Sequence, residues 1–244
     1  MRTLVVLPTY EEADNVREAI VRLRRAVPDA DVLVVDDNSP DGTADVAKAV
    51  AEELGRVEVS VRAGKGGLGS AYRHGFELAL QGGYDAIVQM DADLSWSETD
   101  LPAMLALLDR GTDLVIGSRY VPGGSIPHWP WHRRAMSRYG NRYACFVLGL
   151  PIHDATSGFR VLRASALEAN NLFATRSRGY GFMIETAYRM HQGGASMAEV
   201  PVTFVDRVRG ESKLSLGVAV EELALATGWG LRDLLLRRRR RSSR

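Results

Sequence analysis

A chain of 244 residues that is 45% apolar and 25% charged is long enough to bury a full core and too apolar to stay disordered, and its single cysteine, Cys145, excludes a disulfide framework. The net charge of +1 hides a division: residues 1–127 carry 12 Lys plus Arg against 21 Asp plus Glu, whereas residues 128–244 carry 19 against 9. An acidic half suits a cation and sugar hydroxyls, and a basic half suits phosphate or an anionic surface. Pro8, Glu11, Glu12 and Asp14 break up the apolar start, so no secretory signal is expected and a cytosolic location is the default.

Short β-branched runs alternate with longer amphipathic segments through the first half. Strands are predicted over residues 3–7, 31–36, 57–61, 85–90 and 113–117, and helices over 14–26, 41–53, 69–80 and 98–109, the last capped by Ser97. This alternation implies an α/β fold: a mostly parallel sheet with helices on both faces. Ligands of such sheets sit beyond the carboxyl ends of the strands. Three of those ends are polar: Pro8 to Glu12 after the first strand, Asp36, Asp37 and Asn38 after the second, and Asp91, Ala92 and Asp93 after the fourth.

Asp91 and Asp93 stand two apart where a strand leaves the sheet, so both carboxylates are placed to meet one hard cation held against a diphosphate. The structural alternative is that they cap the following turn. Asp36 and Asp37 are candidates to accept hydrogen bonds from ribose or base donors, while Pro40, Asp41, Gly42 and Thr43 suit a turn and a helix start. The run Gly64 to Gly69 lacks the spacing of a P-loop and is read as a close-approach loop opening a helix, with Lys65 as a candidate ligand contact.

In the second half, Met136, Tyr139, Tyr143, Val147 and Leu150 fall on one face of a helix over 132–150, with Arg134, Arg138 and Arg142 recurring beside it. The spacing fits either an interfacial helix at a membrane surface or a core helix with a solvated basic face. Near the end, Leu216, Val220, Leu223, Thr227, Leu231 and Leu234 form a second stripe. Glu221, Glu222 and Asp233 argue against a spanning helix there. The run Arg237 to Arg241 is suited to anionic lipid.

PTYEE at 8–12, DDNSPDGT at 36–43, KGGLGSA at 65–71, DADLS at 91–95, GSRY at 117–120, DATSGFR at 154–160, GYGF at 179–182 and GESKL at 210–214 follow one another in order. Over about residues 3–214 the chain thereby resembles the polyprenol (dolichol) phosphate mannosyltransferases of glycosyltransferase family 2. The resemblance implies a GT-A (Rossmann-like) catalytic domain over 1–213, with a nucleotide-sugar and metal half over 1–127 and an acceptor half over 128–213. Amphipathic helix and a polybasic tail would occupy 214–244. The implied reaction moves mannose from GDP-mannose to a polyprenyl monophosphate with inversion, using Mg²⁺ or Mn²⁺.

Carried over residue by residue, the resemblance implies that Pro8, Tyr10, Glu12, Val35 and Asp37 hold the nucleoside. Asp91, Ala92 and Asp93 would hold the diphosphate through the metal, Arg207 and Lys213 would close over the donor, and Arg119, Arg133 and Ser137 would engage phosphate. Asp91, Asp93 and Arg119 are then the expected catalytic residues. Two positions depart from the family pattern. Glu11 stands where Asn is usual, and Trp96 stands where His is frequent, leaving the third metal position to Ser95 or water. The resemblance also implies a peripheral protein at the cytoplasmic membrane face, docked to an integral membrane subunit, with no nucleic-acid partner. Rival readings are a UDP-glucose-dependent lipid phosphate glucosyltransferase and a nucleotide-sugar-binding module without turnover. A polysaccharide synthase is disfavoured, because the chain has no QxxRW motif.

Overall fold

The computed structural model describes residues 1–175, 177, 179, 181–206 and 224–232. Its chain order is β1 (Thr3–Thr9), α1 (Ala13–Ala26), β2 (Asp31–Asp36), α2 (Thr43–Leu54), β3 (Val57–Val61), α3 (Leu68–Gln81), β4 (Ala86–Gln89), α4 (Leu101–Asp109), β5 (Leu114–Ser118), α5 (Trp131–Leu148), β6 (Arg160–Arg163), α6 (Ala164–Ala169), α7 (Gly181–Gln192) and β7 (Met197–Pro201). A further helix, α8, covers 224–232. The strands form one seven-stranded sheet in the order β3-β2-β1-β4-β6-β5-β7. Strand β6 runs antiparallel to both its neighbours, and the remaining pairs are parallel.

The predicted elements of the first half are all present, with shifts at their ends that have local causes. β1 continues through Pro8 and Thr9 because they pair with Val35 and Asp36. α2 begins at Thr43, after Gly42 turns the chain at φ 84°. The segment expected to be helical from residue 98 opens as a 3-10 turn, Glu98–Asp100, and only then becomes α4. Ser97 occupies the cap position without capping: its hydroxyl pairs with that of Thr99 at 2.7 Å.

Strand periodicity divides the core between the two sheet faces. Leu4 and Val6 face a cluster built from α3, α5, α6 and α7, while Val5 and Leu7 face one built from α1, α2 and α4. Helix α3 lies so close to β1 that a Cβ at Gly75 would collide with Val6. The strand order reverses between β1 and β4, the point at which an open α/β sheet forms its ligand crevice.

Helix α5 stops at Leu148, where Gly149 adopts the left-handed conformation and returns its N–H to Cys145. The face expected to run from Met136 to Leu150 is therefore split. Met136, Tyr139 and Tyr143 are exposed, Val147 lies half-buried beneath Gly230 of α8, and Leu150, past the helix end, belongs to the core. Asn141, Ala144, Cys145 and Leu148 form the buried side, and burial pushes the Cys145 thiol up to about 12. Helix α8 rests on the domain through Thr227, whose hydroxyl is 2.8 Å from that of Tyr143, and Trp229, stacked on Tyr188. Leu231, from the expected C-terminal stripe, is exposed. Leu216, Val220, Leu223, Leu234 and the run Arg237 to Arg241 lie outside the described residues.

Candidate active site

The loops after β1 and β2 are stitched together. Asp36, with no exposed surface, accepts the Thr9 hydroxyl at 2.9 Å and both the N–H and the hydroxyl of Ser39 at 2.8 and 2.6 Å. Its carboxylate is thus spent on holding the turn. Asp41 takes the N–H of Ala13 with one oxygen and the N–H and hydroxyl of Thr43 with the other, so it ties the start of α1 to that of α2. Burial alone would raise the Asp41 pKa, but these bonds bring it below the ordinary carboxylate value.

Asp37 points onward to the next loop. One oxygen pairs with Arg62 at 2.6 Å, and the other accepts the N–H groups of Gly66 and Gly67 at 2.9 and 3.3 Å. The glycine run is the loop that opens α3, as its composition implied. Lys65 places its ammonium 3.8 Å from the centre of the Tyr10 ring, so the two candidate ligand contacts cover one another. The Val35 side chain is fully buried in the core, so the structure gives it no side-chain surface for a ligand.

Past β4, Asp93 accepts the N–H of Ser95 at 3.0 Å, and Leu94 between them takes φ 62°. Asp91 receives the Tyr72 hydroxyl on one oxygen and the Trp96 indole N–H on the other, both at 3.4 Å. Tyr72 is fully buried, and burial with the negative charges of Asp91 and then Asp93 holds its hydroxyl well above its usual pKa. Tyr72 thus lies in the field of both carboxylates. The Ser95 hydroxyl is buried without a hydrogen-bond partner, and an orphaned buried oxygen needs an explanation. Together these are the oxygen donors a hard divalent cation takes. Among the described residues no three His, Cys, Asp or Glu cluster to hold a metal by themselves.

The resemblance implied Arg119 as a phosphate-binding cation, and the structure gives that charge a partner. Its Nε and Nη2 each lie 2.7 Å from an oxygen of Asp154, its backbone N–H bonds the same carboxylate at 3.0 Å, and Nη2 also reaches the Thr156 hydroxyl at 2.8 Å. Burial would raise the pKa of Asp154, yet Arg119 drives it below the usual range. Arg160, fully buried, fixes the same loop by donating to the carbonyls of Ser157, Met183 and Ala155 at 2.7–2.8 Å. Burial brings its pKa down to about 10, so it remains charged at neutral pH. Neither Asp154 nor Arg160 was assigned a role from the sequence. The available signal was two opposite charges around a Ser-Gly turn between apolar runs.

Arg133 and Ser137 sit one turn apart on α5. Ser137 accepts the Tyr120 hydroxyl at 2.6 Å, and Arg133 lies over the Trp129 ring at 3.9 Å and 3.4 Å from Asp206. Ring contacts connect this side to the carboxylate pair: Trp129 meets Phe204 edge-on at 5.7 Å, and Phe204 meets Trp96 at 4.7 Å. Arg207 and Lys213 lie outside the described residues.

Comparison with known proteins gives the family and the fold. Residues 4–170 match the family described as Glycosyl transferase family 2. The chain is 44% identical to a polyprenol monophosphomannose synthase of Mycolicibacterium smegmatis over 98% of its length and 90% of that protein. It is 47% identical to an undecaprenyl-phosphate mannosyltransferase of Micrococcus luteus over 95% of each. In fold it resembles a mannosyltransferase of Pyrobaculum calidifontis solved in complex with GDP-Man and Mn²⁺, with a TM-score of 0.59 and 18% identity across 95% of this chain and 72% of the other. With its GT-A sheet, the chain is a glycosyltransferase of family 2, belonging with the polyprenol phosphate mannosyltransferases.

Proposed function

We propose that this enzyme transfers mannose from GDP-mannose to the phosphate of a polyprenyl monophosphate, with inversion at the anomeric carbon. The observation that carries the reading is the continuity of the site: the Asp91 and Asp93 carboxylates and the orphan Ser95 hydroxyl, joined through Trp96, Phe204 and Trp129 to Arg133 and, one helical turn on, Ser137. The names of the two curated relatives support the acceptor class, and the ligand of the Pyrobaculum neighbour supports the donor.

Asp91 and Asp93 would hold a divalent ion, Mg²⁺ or Mn²⁺, which when bound supplies positive charge against the departing diphosphate. Ser95 stands beside them as a further oxygen donor. A lipid monophosphate has a second pKa near ~6 and reaches the enzyme largely dianionic, so its oxygen attacks the anomeric carbon without a strong general base. One bond forms from that oxygen to the carbon, and the bond to the diphosphate breaks with its electron pair leaving on GDP. Arg133 and Ser137 receive the acceptor phosphate. Arg119, already neutralised by Asp154, positions Trp96 and Tyr120, which lie 5.7 and 5.3 Å from its guanidinium, rather than adding net charge.

The lipid acceptor must be met at a surface. The outward side of α5 carries Trp131, Tyr139 and Phe146, each more than two-thirds exposed, beside Arg134, Arg138 and Arg142. Aromatic rings with flanking arginines suit the headgroup region of a bilayer. No helix among the described residues is long and apolar enough to cross a membrane. We therefore place the enzyme peripherally, with α5 toward the lipid.

Incubation with labelled GDP-mannose, a polyprenyl phosphate and Mg²⁺ or Mn²⁺ should move label into the organic phase, and Asp93→Asn should stop it. Equal transfer by both proteins refutes the metal site. Faster transfer from UDP-glucose refutes the donor, and an α-linked product refutes the mechanism. Flotation with anionic vesicles should be lost in Tyr139→Glu/Phe146→Glu, and retention would remove α5 from the membrane face.

A further inference from the structure

Asp206 sits on the acceptor side with the same charge sign as the ligand proposed there. Its carboxylate is held unequally. Oδ1 accepts the Trp129 indole N–H at 2.7 Å, a short and firm bond, whereas Arg133 Nη1 lies at 3.4 and 3.5 Å from its two oxygens, at the long limit of pairing. Trp129 is itself 8% exposed and wedged against Phe204, so the anchor does not move when Arg133 does. Arg133 and Asp206 have side chains 33% and 42% exposed, so a ligand reaches both. The backbone supports the same placement, since the N–H of Val205, next to Asp206, bonds the carbonyl of Ser95 at 3.0 Å.

We propose that Asp206 is a fixed counter-charge that weakens the grip of Arg133 on the lipid phosphate. The inference rests on the acceptor reading given above and extends it. An arginine free of a carboxylate would bind a phosphomonoester tightly and a phosphodiester product nearly as stubbornly. With Asp206 anchored to Trp129, the guanidinium must exchange one anion for another, and the repulsion between Asp206 and the arriving phosphate lowers the affinity for both. Arg133 is thus a cation on loan, returned to Asp206 when product leaves. Asp206 touches no reacting atom; it is a positioning residue acting through Arg133.

The sign of its effect separates this role from simple support. A carboxylate that merely held Arg133 in place would, on removal, weaken acceptor binding, whereas a counter-charge would strengthen it. Binding of a short-chain prenyl phosphate and of its mannosyl phosphodiester is measured by calorimetry for wild type, Asp206→Asn, Asp206→Glu, Arg133→Gln and Arg133→Gln/Asp206→Asn. Asparagine keeps an oxygen for the Trp129 N–H. Asp206→Asn is expected to tighten both ligands about three-fold, the size an exposed to half-buried pair provides, and to lower KM for acceptor and kcat together as product release slows. Asp206→Glu, which keeps the charge, is expected to stay near wild type, and the gain is expected to vanish in the Arg133→Gln background. Weaker binding by Asp206→Asn, or an equal gain without Arg133, overturns the inference while leaving the acceptor reading intact. If wild type binds nucleotide but neither prenyl ligand, the acceptor reading fails and takes this inference with it.

Discussion

Replacing Asp154 by Asn tests how the segment between β5 and β6 is held. Asp154 has no exposed surface, and the side chain of Arg119 is 7% exposed. Asparagine preserves shape but removes the charge facing a guanidinium bound through Nε and Nη2, leaving a buried cation uncompensated. Breaking one side of a buried pair costs about 3–5 kcal/mol, a large part of the ~5–15 kcal/mol that stabilises a typical domain. With a urea slope of about 3 kcal/mol per molar, the denaturation midpoint should fall by roughly 1 M or more, and the melting temperature by on the order of 10 °C. The double variant Arg119→Gln/Asp154→Asn removes both charges and should recover most of the loss. The pH dependence has a definite sign. The folded pKa of Asp154 lies below the ordinary value, so its contribution is complete above about pH 5 and disappears as pH falls below ~3.9 toward the folded value. The stability gap between wild type and Asp154→Asn should therefore be flat near neutrality and close in acid. A single variant within about 0.5 kcal/mol of wild type, or a double variant worse than either single one, refutes the reasoning.

Tyr72→Phe removes the hydroxyl that reaches Asp91 but keeps the ring stacked on Phe182; it should weaken Mn²⁺ binding in the presence of GDP by about ten-fold, read by calorimetry, with little change in melting. A methyl group at Gly158 would sit 3.0 Å from Asp91 Oδ2, so Gly158→Ala should cut turnover about ten-fold while the melting temperature stays within ~3 °C; normal activity would mean that Asp91 yields without consequence. Arg160→Lys loses the planar fork that reaches three carbonyls, and urea denaturation should show a loss of about 2–4 kcal/mol.

Strands β1 to β5 were legible because apolar β-branched runs bounded by turn residues identify themselves locally. Strand β6 was not, since Arg160 to Arg163 has an arginine at each end and becomes a strand only by pairing with β4 and β5, which are remote in sequence. The Asp91 and Asp93 pair was visible as a motif, whereas its supports, Tyr72 and Gly158, come from elsewhere in the chain. Arg119 illustrates the limit of a carried-over motif: as part of GSRY it presents a cation, and only the folded chain brings Asp154 against it. Val35 lies in a strand buried on both faces, which its unbroken apolar run already implied.

Because β6 returns beside β5, the excursion over residues 119–159 leaves and re-enters the sheet at one place, with the Gly117 N–H bonded to the Phe159 carbonyl at 2.9 Å. It contains Arg119, Arg133, Ser137 and Asp154, and none of the loops after β1, β2 or β4. The excursion thus has a closed neck, and its last residues, Gly158 beside Asp91 and Phe159 against Trp96, tie it to the carboxylate pair. On the proposed reading, chimeras that exchange residues 119–156 and keep Ser157, Gly158 and Phe159 would vary the acceptor side while leaving those contacts in place.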